Sequence, residues 1–381
     1  MTPRLLFVAL LGHAATSACA EQWLAEANAG SSAAYDTNPR LLSVGSEAVY
    51  GLITNASLDL SRRTEQSRLG LSPRFVARRY TGDYALDSDD IYLNADFVTG
   101  RGERSEYSIG ASYSRDGTLT SEFVSTGFVP ANTQREISGL RATASRSLSE
   151  LTSVSGSVDY QDVQFEDGLR YGLQDYQYWS GLGYVQRSLS ERTRVSLLAR
   201  IGLLEASFTG DESQEVTVGL GLDRDWNERW TSSLYVGPTF SELNGRSSGT
   251  NTSFRVDVTG EWQRTTLRVQ AERLLSPDAG RGQLESRDRA SASVTYGLTE
   301  HLQASAVAAV DYFSQSSDPR NKGGDYRSYG RAAFGLVWRF SPQWSATARI
   351  EYAQRDDITD ASRNSMIAGI EWRAQPRTLF H

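Results

Sequence analysis

The stretch RSLSERTRVSLLARIGL, residues 187–203, joins a turn to a strand and indicates the fold of the whole chain. Its first ten residues nearly repeat RSLSELTSVS, residues 146–155. Its second half alternates in polarity, with apolar residues at Val195, Leu197, Ala199, Ile201 and Leu203. Because successive side chains of a strand point to opposite faces, this period of two predicts a half-buried strand.

The same alternation recurs along almost the entire chain. Residues 91–97, IYLNADF, and residues 254–262, FRVDVTGEW, are two clear examples. Similar segments occur near residues 24–36, 48–61, 68–81, 107–116, 137–147, 151–163, 176–187, 216–226, 230–241, 267–275, 290–298, 302–313, 328–340, 344–353 and 365–374. Together they predict about eighteen strands, far more than an ordinary β-sandwich contains.

The connections between these segments are of two kinds. One kind is very short: RTEQS, GRGERS, SLSELT, SLSERT, DWNERW, WQRTT, GLTEH and FSPQW. The other is long and polar: DTNPRLLSVGSE, FVSTGFVPANTQRE, FEDGLRYGLQD, NGRSSGTNT, SPDAGRGQLESRDR, SDPRNKGGDYRS and RDDITDASRN. The two kinds alternate, which predicts an antiparallel meander in which the repeated RSLSE segments are equivalent short turns on one rim.

This layout is typical of bacterial outer-membrane barrels, whose turns are short in the periplasm and whose loops are long outside. Closure of the sheet removes the unpaired edges that hydrocarbon does not tolerate. The alternation then separates a lipid-facing surface from a polar lumen. We therefore expect an all-β protein: a transmembrane antiparallel β-barrel, an up-and-down meander of about 18 strands in the outer membrane, with membrane lipid as a partner.

Tryptophan positions agree with this orientation. The residues near the short turns are Trp226, Trp230, Trp262, Trp338, Trp344 and Trp372. Aromatic residues form a belt at the membrane–water interface of such barrels. The alternative is that tryptophan simply favours strands.

The first twenty residues, MTPRLLFVALLGHAATSACA, have the features of a secretory signal peptide. A basic residue precedes an apolar run, and Ala18-Cys19-Ala20 fits the small-residue cleavage site. A lipoprotein would require a leucine at the start of its lipobox, which is missing before Cys19. We expect residues 1–20 to be a signal peptide and residues 21–381 to be the barrel, without the only cysteine.

Composition and residue placement argue against several functions. A net charge of −7 disfavours a nucleic-acid partner, since phosphate backbones require a basic surface. The histidines, His13, His301 and His381, are badly placed for a catalytic base. The acidic segments 87–90 and 355–357 lack the spacing of a calcium loop, which favours solvated acids. We expect no enzyme activity, no cofactor and no metal site.

The polar face of the strands supplies the candidate lumen residues. By parity these are Arg74, Arg78, Asp96, Arg141, Asp159, Arg200, Asp223, Arg255, Asp257, Glu261, Arg268, Glu272, Asp311, Arg331, Arg339, Arg349 and Glu351, followed by Glu371 and Arg373. Charges of both signs disfavour a pore with strong selectivity for one ion. An alternative role for any of them is to pair across strands and stabilise the wall.

Two long segments are candidates for a constriction of the lumen, FVSTGFVPANTQ and FEDGLRYGLQD. A porin is expected to fold such a loop into its channel. Four aromatic residues in or directly after these segments can stack on sugar faces. They are Phe128, Phe165, Tyr171 and Tyr176.

At Ala33 to Pro39 the chain reads AAYDTNP, after a strand that directly follows the signal. With the predicted meander, this segment resembles the beta-barrel porin 2 family and related outer-membrane barrels associated with exopolysaccharide gene clusters. The resemblance implies an outer-membrane exit for polymers made by Wzx/Wzy-type machinery. It also implies a periplasmic polysaccharide-export protein as a partner.

Exopolysaccharide secretion is therefore the expected function. A general or sugar-selective porin for small solutes is the alternative, and a barrel enzyme or structural adhesin ranks third. One departure concerns the C-terminus, because many such barrels end on an aromatic residue and this chain ends RTLFH. Residues 365–374, SMIAGIEWRA, resemble a final strand, so residues 375–381 are predicted to be a short tail.

Overall fold

The computed structural model describes residues 22–82, 86–100, 102, 104–119, 132–278, 282–314, 327–356 and 360–380. The predicted signal peptide, residues 1–20, and the loop residue Phe128 lie outside these residues. So do the candidate constriction residues 123–131 and most of the segment SDPRNKGGDYRS.

Strands account for nearly all of the described chain. They are β1 (Gln22–Asp36), β2 (Val49–Arg63), β3 (Ser67–Thr81), β4 (Ser88–Thr99), β5 (Ser105–Gly117), β6 (Gln134–Ser147), β7 (Thr152–Phe165), β8 (Tyr176–Ser190), β9 (Thr193–Ala206), β10 (Glu212–Asp225), β11 (Trp230–Leu243), β12 (Arg246–Glu261), β13 (Thr265–Asp278), β14 (Gln283–Gly297), β15 (Leu302–Ser314), β16 (Arg327–Arg339), β17 (Trp344–Asp356), β18 (Ala361–Arg373) and β19 (Arg377–Phe380). A single turn of 3-10 helix, Gly168–Tyr171, interrupts the β7–β8 connection. Among the described residues, no helix is long and apolar enough to cross a membrane.

The strands form one closed sheet. Each of β2 to β18 pairs antiparallel with its predecessor, and β18 pairs with β1 from Asn28–Arg373 to Asp36–Ser365. The prediction of an up-and-down antiparallel barrel of about 18 strands is therefore confirmed.

The short element β19 completes the seam of the barrel. β18 ends at Arg373, and Pro376 has no N–H to donate to a ladder. Pairing with β1 resumes beyond it, where Arg377 faces Ala25 and Thr378 faces Leu24. The predicted tail, residues 375–381, thus contains a strand, because the lower end of β1 extends past β18 and would otherwise be unpaired.

Ladder register separates an apolar outer face from a polar inner face. One row of partners runs Ile109, Ala142, Val158, Gly181 and Ile201, and its large members are exposed. The row one residue away runs Gly110, Arg141, Asp159, Ser180, Gly202 and Glu215. A closed sheet with a continuous exposed apolar surface suits hydrocarbon and not water. The protein is an outer-membrane barrel, as predicted.

Most of the short turns share one hydrogen-bonding arrangement, which explains the repeated RSLSE segment. In the first copy, the Oγ of Ser149 accepts hydrogen bonds from the backbone N–H groups of Leu151 and Thr152, at 3.3 and 3.1 Å. In the second copy, Ser190 accepts one from Arg192 at 3.3 Å. The same side-chain acceptor recurs at Asn227, Thr299 and Ser341.

Several connections on the opposite rim are shorter than predicted. The segment NGRSSGTNT is not a loop, because Asn244 and Gly245 have φ angles of 52° and 70° and close a two-residue hairpin. These positive values suit the turn that matches strand twist, so β12 begins directly at Arg246. The segment SPDAGRGQLESRDR likewise becomes the ends of β13 and β14.

Candidate functional site

The ladder register places the predicted lumen residues on the inner face, including Glu371 and Arg373. Lys322 is the only lysine in the sequence, so the cations of these strands are all arginine. Arginine suits such a wall, since its planar guanidinium pairs bidentately with carboxylates. Contact between any of these residues and a solute stays a prediction.

In the half of the lumen nearer the short turns, opposite charges on neighbouring strands pair with each other and stay in contact with water. Arg141 pairs with Asp159, and the Nη2 of Arg268 lies 2.7 Å from the Oδ2 of Asp257. The side chains of both arginines are more than half exposed. Exposed pairs of this kind contribute little stability. They leave a hydrated lumen lined by charges of both signs.

Near the rim of long loops several carboxylates are buried. Each buried acid among the described residues has an arginine partner: Asp36 with Arg363 at 2.5 Å, Asp90 with Arg78, Asp116 with Arg135 at 3.2 Å, Glu215 with Arg200 at 3.2 Å, Glu285 with Arg327 at 2.8 Å and Asp311 with Arg287 at 2.8 Å. Charges are buried in proteins only where they are paired. Their burial means that other parts of the chain cover this end of the lumen.

The β13–β14 hairpin leaves the wall at this end. The β12–β13 ladder stops at Phe254–Arg273, whereas β13 and β14 remain paired up to Asp278–Gln283. β14 joins β15 only from Ser286 onward. Residues 274–278 and 282–285 therefore pair only within the hairpin and have no other strand beside them.

The tip of this hairpin reaches a distant part of the wall. Gly282 has a φ of +61°, and a Cβ placed there would lie 2.6 Å from the Cβ of Ala206 and 2.9 Å from the Oε1 of Gln174. Ala206 ends β9, and the strands β10 to β13 stand between β9 and β14 in the sheet. Strands separated in this way meet only across the inside of a closed barrel, so the hairpin crosses the lumen.

Apolar side chains hold the hairpin in this position. Leu275 and Leu284 pack in a cluster whose other buried members are Val163, Phe165, Leu173, Tyr176, Tyr178 and Leu204. We call these eight residues the hairpin cluster. It joins the hairpin to β7, β8, β9 and the turn that connects β7 to β8.

The hairpin cluster changes the interpretation of the aromatic residues in the predicted constriction segment. Phe165 and Tyr176 are strand ends and are buried within the cluster, so their faces are not available to a sugar. Tyr171 ends the 3-10 helix, with the guanidinium carbon of Arg170 5.6 Å from its ring centroid. The sequence prediction missed the inward hairpin itself, whose only local signal is the apolar pair Leu274–Leu275 in a polar segment.

A second apolar cluster lies elsewhere on the rim. Leu41 from the first loop packs against Tyr329, Ala353 and Ala361 on β16, β17 and β18. Leu119, which follows β5, packs against the same group. We call these five residues the loop cluster, and the two clusters together narrow the outer mouth.

The YDTN segment fastens the first loop to the wall beside the loop cluster. The Oδ1 of Asp36 accepts a hydrogen bond from the backbone N–H of Asn38 at 3.0 Å. The Asn38 side chain donates to the carbonyl oxygens of Leu42 and Ser362, at 2.8 and 3.0 Å, and accepts from the Leu42 N–H at 2.9 Å. These contacts give the segment a structural role in closing the mouth.

Comparisons with known proteins find likenesses in structure only. No family model matches the chain, and no curated protein does. The OccAB3 structure of Acinetobacter baumannii is 10% identical, with a TM-score of 0.48, over 93% of this chain and 99% of that one. OccK2 (OpdF) of Pseudomonas aeruginosa in complex with glucuronate is 10% identical, with a TM-score of 0.48, over 94% and 98%. A bacterial polysaccharide outer membrane secretin is 9% identical, with a TM-score of 0.37, over 92% and 98%.

Proposed function

We propose that the protein is an outer-membrane channel for the diffusion of small polar solutes. The observation that carries this proposal is the contact of Gly282 with Ala206 across the lumen. The lumen is wide and hydrated near the short turns, and the β13–β14 hairpin crosses it near the long loops. Such a channel limits the size of the solutes that pass through it.

The lumen walls agree with a channel of modest selectivity. Ion pairs such as Arg268–Asp257 and Arg349–Glu351, the latter at 2.6 Å, present both signs to the same water. Strong preference for one ion requires a constriction dominated by one sign. We therefore expect neutral and zwitterionic solutes, small sugars among them, to pass.

Exopolysaccharide secretion is less well supported than this alternative. A polymer that fills the mouth would have to separate the hairpin cluster and the loop cluster, which expose apolar surface when opened. The family resemblance rests partly on the YDTN segment. In the structure this segment fastens the first loop to the wall, which is a structural role that secretion does not require.

Two experiments test the proposal together. Purified protein in liposomes should admit small sugars, and replacing residues 274–285 with a two-residue turn should admit larger oligosaccharides. In cells, a clean deletion of the gene should reduce uptake of small sugars and leave surface polysaccharide intact. Loss of surface polysaccharide with unchanged sugar uptake would instead support secretion.

A further inference from the structure

Three arginines occupy the same position in three consecutive short turns. Arg146, Arg187 and Arg224 each stand three residues before the side chain that closes the turn, Ser149, Ser190 or Asn227. They belong to β6, β8 and β10, so each is two strands from the next. Two strand spacings across the sheet and two residues along it place the Cα atoms of neighbouring arginines about 12 Å apart, in a row along the rim of short turns.

The row faces outward and not into the lumen. Arg146 pairs with Val154, which in turn pairs with the exposed Val185. Arg187 is two residues from Val185 on the same strand, and Arg224 is two residues from the exposed Leu222. Side chains two residues apart share a face, so all three arginines lie on the lipid-facing surface.

Within the described part of the chain, no ion pair involves these arginines. All three are exposed. Their ladder partners on the outer face are Ser105, Val154, Thr152, Val195, Thr193 and Ser232, none of which is acidic. Arg224 makes a cation–π contact, in which its guanidinium carbon lies 4.4 Å from the ring centroid of Trp226.

Apolar residues bracket each arginine on this surface. Two residues beyond the arginines, toward the turn, stand Leu148, Leu189 and Trp226, all exposed. The guanidinium groups are thus near the membrane boundary, with apolar residues before and after them on the same face of the strand. A guanidinium at this depth attracts an anion at the same depth, and the phosphate groups of lipids are such anions.

The other described turns of this kind have no arginine at the equivalent position. Their side-chain acceptors are Thr64, Thr299 and Ser341. The residues three positions before these acceptors are Ser61, Tyr296 and Trp338. Among the described turns with such an acceptor, the arginines are therefore confined to the three consecutive turns that follow β6, β8 and β10.

We propose that Arg146, Arg187 and Arg224 form a binding row for the phosphate groups of anionic phospholipids in the periplasmic leaflet. Each guanidinium donates hydrogen bonds to phosphate oxygens. The acyl chain then extends toward the membrane core, beside the exposed Val185 and Leu222 on the same face. Anionic lipid is therefore expected to collect beside the strands β6 to β10.

Native mass spectrometry of the detergent-solubilised barrel tests this proposal with two probes, phosphatidylglycerol and phosphatidylethanolamine carrying identical chains. The wild-type protein should bind phosphatidylglycerol more tightly. The triple variant Arg146→Gln, Arg187→Gln, Arg224→Gln should lose that preference, with affinity falling about fivefold for each arginine. The triple lysine variant keeps the charge and should retain most of the preference.

The matched control removes three outward arginines at the other end of the barrel: Arg79, Arg115 and Arg273, which pair with Asp89, Glu136 and Asp288. Replacing them with glutamine changes the net charge equally and should leave the lipid preference intact. A gel shift on boiling verifies that each variant is folded. Equal binding of the two lipids by the wild type, or an equal loss in the control, would overturn the proposal.

Discussion

Gly282 at the tip of the β13–β14 hairpin lies against Ala206 at the end of β9, on a part of the wall that the sheet order separates by four strands. This contact converts an open cylinder into a channel with a covered mouth. The hairpin reaches that far because its end has no other strand beside it. Its Leu275 and Leu284 pack against apolar side chains of β7, β8 and β9.

The first prediction concerns the close approach at Gly282. Gly282→Ala should displace the hairpin, because the new methyl group would fall 2.6 Å from the Cβ of Ala206. Gly210→Ala is the matched control, since Gly210 also has a positive φ, +68°, but has nothing within 4 Å of an added Cβ. Liposome swelling with sugars of increasing size should show a higher size limit for the first variant alone. Identical profiles would argue against the hairpin as the constriction.

The second prediction concerns a buried ion pair. Arg200→Gln leaves Glu215, which is 1% exposed, without its cation and should destabilise the barrel by about 3 kcal/mol. Arg141→Gln, at an exposed pair with Asp159, should change stability by less than about 1 kcal/mol. The temperature at which the boiling-dependent gel shift occurs measures the difference. An equal change of this temperature in both variants would show that burial does not determine how much each ion pair stabilises the barrel.

The third prediction concerns the first loop. Asn38→Ala removes two donated hydrogen bonds and one accepted bond that fasten the loop to Leu42 and Ser362. Each is worth about 1 kcal/mol, so the loop should open locally. A cysteine at Leu41, which is buried, should then react faster with a thiol reagent. Asn28→Ala, which removes only a 3.4 Å contact to Ser57, should leave the reaction slow.

The fourth prediction concerns orientation. Cysteines at Val44 and Phe208, both exposed on the long-loop rim, should react with an impermeant reagent on intact cells. A cysteine at Glu150, in the first RSLSE turn, should react only after the outer membrane is permeabilised. The opposite pattern would place the short turns outside the cell.

Part of the local structure could be predicted from the sequence, because it depends on residues that are close together in the chain. Alternating polarity defined the strands and their faces, since the period of two is a property of the extended backbone. The two-residue Asn244–Gly245 turn was mistaken for a loop, although Asn-Gly is a strong hairpin signal.

The sequence by itself determined the barrel, its strand number, the lipid-facing surface and the rim of short turns. These follow from repeated local patterns, and closure follows from the intolerance of hydrocarbon for unpaired backbone groups. Only the tertiary structure decided that the end of the β13–β14 hairpin crosses the lumen, that Phe165 and Tyr176 are buried, and that Arg146, Arg187 and Arg224 line up on one side. Those relationships join residues from distant strands, and they depend on where a ladder ends and how neighbouring strands are staggered, which no short stretch of sequence encodes.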